Sequence, residues 1–182
     1  MSADPVLTLL PGAFFALLFG IAAMHKIGAW RLFEQQVADY RVLPRPLTRV
    51  AAVLLPAVEA AVAASWLDAR TRPAAAAASA LLLALYGASM AWNLRQGRDT
   101  VDCGCGAPDG AQVIRWALVG RNAALATLAA ALGLLAASND APMRAMSWVD
   151  WFTVNAGAIA LMGVYTAFNQ TLANLPPQRV LD

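Results

Sequence analysis

Five stretches of this chain run for about the thickness of a bilayer with almost no polar interruption. Val6 to Met24 carries no charge, Val50 to Leu67 carries only Glu59, and Pro73 to Leu94 carries none. Val113 to Ala137 has Arg115 near its start and Arg121 inside, and Trp151 to Phe168 is again uncharged. A hydrocarbon core of about 30 Å takes roughly 20 apolar residues as a helix. Buried helices of soluble proteins are shorter and alternate with amphipathic ones, whereas these are apolar almost all round. The pattern predicts an all-α fold, a polytopic membrane helix bundle with a four-helix core plus a fifth transmembrane helix. The predicted spans are about 6-26, 48-67, 73-94, 112-137 and 148-169, within a single integral membrane domain over 1-182. Thr153, Asn155 and Thr166 make the fifth the most dilute.

Composition agrees. Hydrophobic residues make up 60% and charged residues 13%, against roughly 25% charged in soluble domains. Mean hydropathy is +0.56. So few charges cannot coat a soluble domain of 182 residues. The net charge of +2 and the lack of any basic run longer than two residues give no electrostatic footprint for nucleic acid. No Lys or Arg precedes the first apolar run, so the basic region of a cleavable signal is missing, and the first span is expected to stay as a helix.

Between the spans, the polar segments differ in character. From Ile27 to Leu47, charges at Arg31, Glu34, Asp39, Arg41 and Arg45 alternate with Trp30, Leu32, Phe33, Val37 and Tyr40. That pattern suits either an amphipathic surface helix ended by Leu43-Pro44-Arg45-Pro46 or a solvated connector. Pro73 is well placed in the first turn of the third span. The 95-111 segment is rich in Gly and Asp, without apolar period, and must lie at the aqueous boundary, because non-helical backbone is not tolerated facing lipid. Arg144 stands in the loop Ser138 to Ser147, and the tail after Asn174, with Pro176-Pro177, is expected to fray.

The candidate chemistry centres on that third loop. Its Cys103 and Cys105 are the chain's two cysteines. A bridge between them would close a very small ring, with Gly104 supplying the positive φ such a ring requires. So short a loop constrains the unfolded chain hardly at all, and strained bridges are the more reducible ones. A redox pair explains the arrangement better than a staple. Inert thiols and half of a metal site stay open, although zinc wants four ligands and the sole histidine, His25, is in another segment. Arg98 and Arg115 flank the pair, and positive charge favours thiolate. Lys26 ends the first span, where it either snorkels or acts on a cysteine. Glu59 and Arg121, the latter beside Asn122, are expected near mid-depth and to approach each other, since intramembrane ions are rare and usually pair or line a site; a buried ion pair that fixes helix packing and a substrate role both stay open.

Several short runs together resemble the methylamine-utilisation MauE proteins, relatives of the DoxX-like membrane proteins. They are Phe15 to Lys26, Tyr40-Arg41-Val42-Leu43-Pro44, Pro56-Ala57-Val58-Glu59, Asn93-Leu94-Arg95-Gln96-Gly97, Asp102-Cys103-Gly104-Cys105-Gly106 and Arg121-Asn122. The resemblance covers about residues 10 to 135. Ala107 stands where family members often have an aromatic. The resemblance implies a cytoplasmic-membrane factor for maturation of methylamine dehydrogenase, a periplasmic enzyme whose small subunit is dense in disulfides. It also implies a thioredoxin-like partner, MauD. Carried over, Cys103 and Cys105 are the redox pair, with Lys26, Glu59, Arg121, Asn122 and Gly104 in support. By analogy with quinone-linked membrane oxidoreductases, a quinone would dock beside Cys105 among the first four helices.

Sidedness is contested by two arguments. Lys26, Arg31, Arg41, Arg45, Arg49, Arg95, Arg98 and Arg115 gather at the face of the cysteine loop, against Arg70, Arg72 and Arg144 opposite. Positive-inside counting makes that face cytoplasmic, whereas a periplasmic substrate makes it periplasmic. The substrate argument is the one adopted. The function expected is thiol–disulfide exchange in the inner membrane. A non-catalytic scaffold for the maturation complex, or a small-solute transporter built on Glu59 and Arg121, are the alternatives.

Overall fold

The computed structural model describes residues 4–104, 112–138 and 144–175. Among them are six helices: α1 (Pro5–Gly28), α2 (Trp30–Asp39), α3 (Arg45–Ser65), α4 (Arg72–Arg95), α5 (Trp116–Ser138) and α6 (Trp148–Asn174). All except α2 are long and apolar enough to cross a membrane. The chain is thus a multi-pass helical membrane protein. Exposed tryptophans mark both ends of the bundle, Trp92 and Trp116 at one and Trp148 and Trp151 at the other, as the amphipathic indole prefers at a membrane interface.

Local chemistry sets the helix starts. Asp4 caps α1 by accepting from Val6 N at 3.0 Å, and Pro5 takes the first helical position, where no N–H is needed. Ser147 and Asp150 form a reciprocal capping box on α6. Arg144 then holds both oxygens of Asp150 at 2.7 Å and reaches Asp4 at 3.2 Å, tying the starts of α1 and α6 together.

In the core, α1 packs between α3 and α6, and α4 packs most closely on α5. Phe14, Phe15, Phe19 and Trp66 fill the centre, with the Phe15 and Trp66 rings stacked at 5.2 Å. Trp66 donates its indole N–H to Ser79 Oγ at 2.9 Å, so α3 is bonded to α4 inside the core. Where α4 meets α5, a Cβ on Gly133 would come within 3.0 Å of Ala76 Cβ.

Several boundaries differ from the sequence expectation. Helix α5 starts at Trp116, not at 112, because the backbone before it is paired elsewhere. Cys103 N donates to Gln112 O at 2.7 Å and Ile114 N to Val101 O at 2.9 Å, around a single antiparallel bridge between Asp102 and Val113. Helix α6 runs on to Asn174, beyond 169. Residues Ile27 to Leu47 do hold a helix, α2, but it ends at Asp39, well before the proline pair, and the chain turns at Arg41 with a φ of 50°. The tail after Leu175 lies outside the described residues.

Candidate functional site

The cysteine loop is anchored from three directions. Asp102 Oδ1 accepts from Gly104 N at 2.9 Å, closing a local turn. Gly104 takes the expected left-handed backbone, with φ 67°. Helix α2 presses on this turn, so that a Cβ at Gly104 would meet Gln36 Oε1 at 3.1 Å. Tyr40 lies below the loop: its hydroxyl is 3.4 Å from Cys103 O, and its own carbonyl accepts from the buried Asn93 on α4 at 3.1 Å.

Cys103 is buried, 6% exposed, against Met90, Ile114, Leu118 and Leu172. Its Sγ lies 3.6 Å from Gln112 Oε1, and Gln112 Nε2 donates to Asn169 O on α6 at 3.1 Å. The expected partner Cys105 lies outside the described residues.

Beside Cys103 a cavity of about 480 Å³ enters the bundle, and Gly104 and Gln112 are part of its wall. That volume is in the usual range for small-molecule sites, roughly 300–1,000 Å³. Leu18, Phe19, Leu83 and Met162 line it with apolar surface. The remaining wall carries two polar groups of residues. In one, Lys26 forms an ion pair with Glu59, while Tyr86 donates its hydroxyl to the same Glu59 oxygen, Oε1, at 2.6 Å. The Lys26 ammonium also sits over the rings of Phe33 and Tyr86, at 5.2 and 4.8 Å. Glu59 is 1% exposed, and its Oε2 is buried with no hydrogen-bond partner among the described residues. In the other group, Arg121 donates to Asn169 Oδ1, lies 3.4 Å from Asn122 Oδ1 and stands over the Tyr165 ring at 5.1 Å.

A family model described as Methylamine utilisation protein MauE matches residues 4–136. The chain belongs to the MauE family. It is 43% identical over 119 residues to the methylamine utilization protein MauE of Paracoccus denitrificans, covering 65% of this chain and 64% of that one. The match to the MauE of Methylorubrum extorquens is 38% over 133 residues, with 73% and 72% covered, and to that of Methylophilus methylotrophus 35% over 102 residues, with 56% and 54% covered. The chain thus spans a little under two thirds of the length of the Paracoccus denitrificans relative. No solved structure matches it.

Four of the residues singled out through the MauE resemblance, Lys26, Glu59, Arg121 and Asn122, line one cavity, and Gly104 closes it on the loop side. Glu59 and Arg121 stand in the wall of the same cavity, and Glu59 is ion-paired with Lys26. Arg121 is not at mid-depth: with α5 starting at Trp116, it stands five residues along the helix, roughly 8 Å of rise. Lys26 turns inward to Glu59 instead of snorkelling. Arg115 donates to Leu175 O at 2.5 Å and so holds the end of α6, while Arg98 donates to Gln96. The sequence reading missed Tyr40, Tyr86, Gln112 and Asn169. Tyr40 was signalled by its place in a family-like run; the other three lie within apolar or polar stretches that give no sign of them.

Proposed function

We propose that this protein is a thiol–disulfide oxidoreductase of the bacterial inner membrane, serving maturation of the small subunit of methylamine dehydrogenase with a MauD-like thioredoxin-fold partner. Membership of a family named for methylamine utilisation supports the pathway. Burial of Cys103 beside Gly104 and Gln112, which line a cavity in the bundle, is the observation that carries the chemistry. A partner protein cannot bring its own thiol to a sulfur packed against Met90 and Leu118. Cys105 is therefore the cysteine that meets the partner. A thiolate of the reduced partner attacks Cys105, the Cys103–Cys105 bond breaks and Cys103 leaves as a thiolate; the partner's second thiolate then attacks the partner sulfur of the mixed disulfide, the partner's own disulfide forms and Cys105 is released. Gln112 and the Asp102–Gly104 turn hold Cys103 in position through the exchange.

A quinone fits the cavity, whose apolar walls suit a ring and whose Arg121 and Asn122 can donate to its oxygens. When bound, it would accept the two electrons and two protons released as two thiols become one disulfide. The Cys loop then faces the periplasm.

The test is alkylation of intact cells with a membrane-impermeant maleimide, with and without prior reduction, read as a mass shift. Labelling only after reduction is expected. Labelling only after the membrane is opened would overturn the periplasmic assignment. A Cys103→Ser, Cys105→Ser variant that still supports maturation would leave a scaffold instead; if Glu59→Gln then abolished function, a transporter would be the reading.

A further inference from the structure

We infer that the cavity is built to bind the reduced, hydroxyl-bearing form of a lipid-soluble quinone in preference to the oxidised form. The inference rests on the oxidoreductase reading above and concerns a site that reading uses only as a container. The decisive group is Glu59. Its Oε1 is committed to Lys26 and Tyr86. Its Oε2 is an acceptor inside the membrane-spanning bundle with no donor among the described residues. A buried carboxylate oxygen left without a donor is costly, and a hydrogen bond to an ionised group is stronger than a neutral one. The residue lines the cavity, and a ligand held there can supply the donor. An oxidised quinone offers carbonyl acceptors only. Its reduced form offers O–H groups, one of which satisfies Glu59 Oε2.

The opposite polar group does not select between the two forms. Arg121, Asn122 and Asn169 present both donors and acceptors, and a carbonyl or a hydroxyl oxygen suits them equally. Selectivity therefore comes from the Glu59 end. One hydrogen bond to a charged acceptor corresponds to about ten- to a hundredfold in affinity. By linkage, each tenfold preference for the reduced form raises the two-electron midpoint potential of the bound quinone by about 30 mV. Glu59 thereby draws the exchange toward disulfide formation.

The experiment uses the full chain carrying Cys103→Ser and Cys105→Ser, in lipid nanodiscs, so that no thiol turnover intervenes. The probes are a short-tailed ubiquinone analogue and its quinol, the latter kept anaerobic. Tryptophan fluorescence quenching gives both dissociation constants, and spectroelectrochemistry gives the bound midpoint potential. The quinol is expected to bind at least about tenfold more tightly. Glu59→Gln, whose amide can donate to a carbonyl, is expected to bring the ratio to one or below. Should that variant misfold with Lys26 unpaired, Lys26→Met with Glu59→Gln removes both charges and carries the same expectation. Equal binding of the two forms, no binding, or a ratio that survives both variants would overturn the inference. None of these results touches the oxidoreductase reading, which falls instead if the cysteine-free chain still supports maturation.

Discussion

Replacing Lys26 with Met keeps the length and apolar bulk of the side chain and removes the ammonium. Glu59, 1% exposed, then keeps the Tyr86 hydroxyl at 2.6 Å and loses its counter-ion. Removing one member of a buried pair costs about 3–5 kcal/mol, because the other charge is left uncompensated. The Tyr86 bond gives no relief, since it is already made in the native protein. In a chain of this size each kcal/mol moves the melting point by about 2–4 °C, so Lys26→Met should melt roughly 6–20 °C lower. Replacing both members, Lys26→Met with Glu59→Leu, removes the buried charges together and is expected to recover most of the loss, since apolar replacement of a buried pair is often neutral or stabilising by about 1–4 kcal/mol. Thermal unfolding of the purified protein in detergent, followed by fluorescence, reads both variants and completes the cycle with Glu59→Leu alone. A Lys26→Met protein melting within roughly 2 °C of the parent would refute the reasoning, and so would a double variant no more stable than Lys26→Met.

Single-cysteine variants should alkylate at very different rates in the folded protein, Cys103 the slower because it is buried, and at similar rates in denaturant; equal native rates would place Cys103 at the surface. Gly104→Ala forces a side chain into left-handed backbone, at about 1–2 kcal/mol, and presses a Cβ to 3.1 Å from Gln36 Oε1. Its melting point should fall and the exchange between the cysteines slow, and an unchanged melting point would argue against the turn. Ser79→Ala leaves the Trp66 indole N–H buried without its acceptor, a loss of about 1–3 kcal/mol in the same unfolding assay, whereas Ser79→Thr, which keeps a hydroxyl, should lose less.

Hydrophobic length made the transmembrane helices legible, because a span with one charge or none has few other places to go. Gly104 was legible for a similar reason: a short ring between two cysteines demands backbone that Gly adopts at least cost. The partner of Glu59 was not. Both Lys26 and Arg121 are cations near the same end of the bundle, and periodicity says nothing of which helix lies beside α3. Helix α1 does, packing against α3. The start of α5 was misplaced because Val113 and Ile114 extend the apolar run that follows, while the backbone of Gln112 and Ile114 pairs with Cys103 and Val101. Tertiary pairing of this kind leaves no mark on hydropathy.

Helix α6 begins after the region matched by the family model, residues 4–136, yet it completes the site. Asn169 accepts from Gln112 through its carbonyl and from Arg121 through its side chain. Gln112 is bonded in turn to the Cys103 backbone and lies beside its sulfur. The end of α6 is clamped a second time, where Arg115 holds Leu175 O. One residue of α6 therefore joins the cysteine loop to the Arg121 wall of the cavity. The start of α6 is fixed by Arg144 to Asp150 and Asp4, so the helix that carries Asn169 is held at both ends.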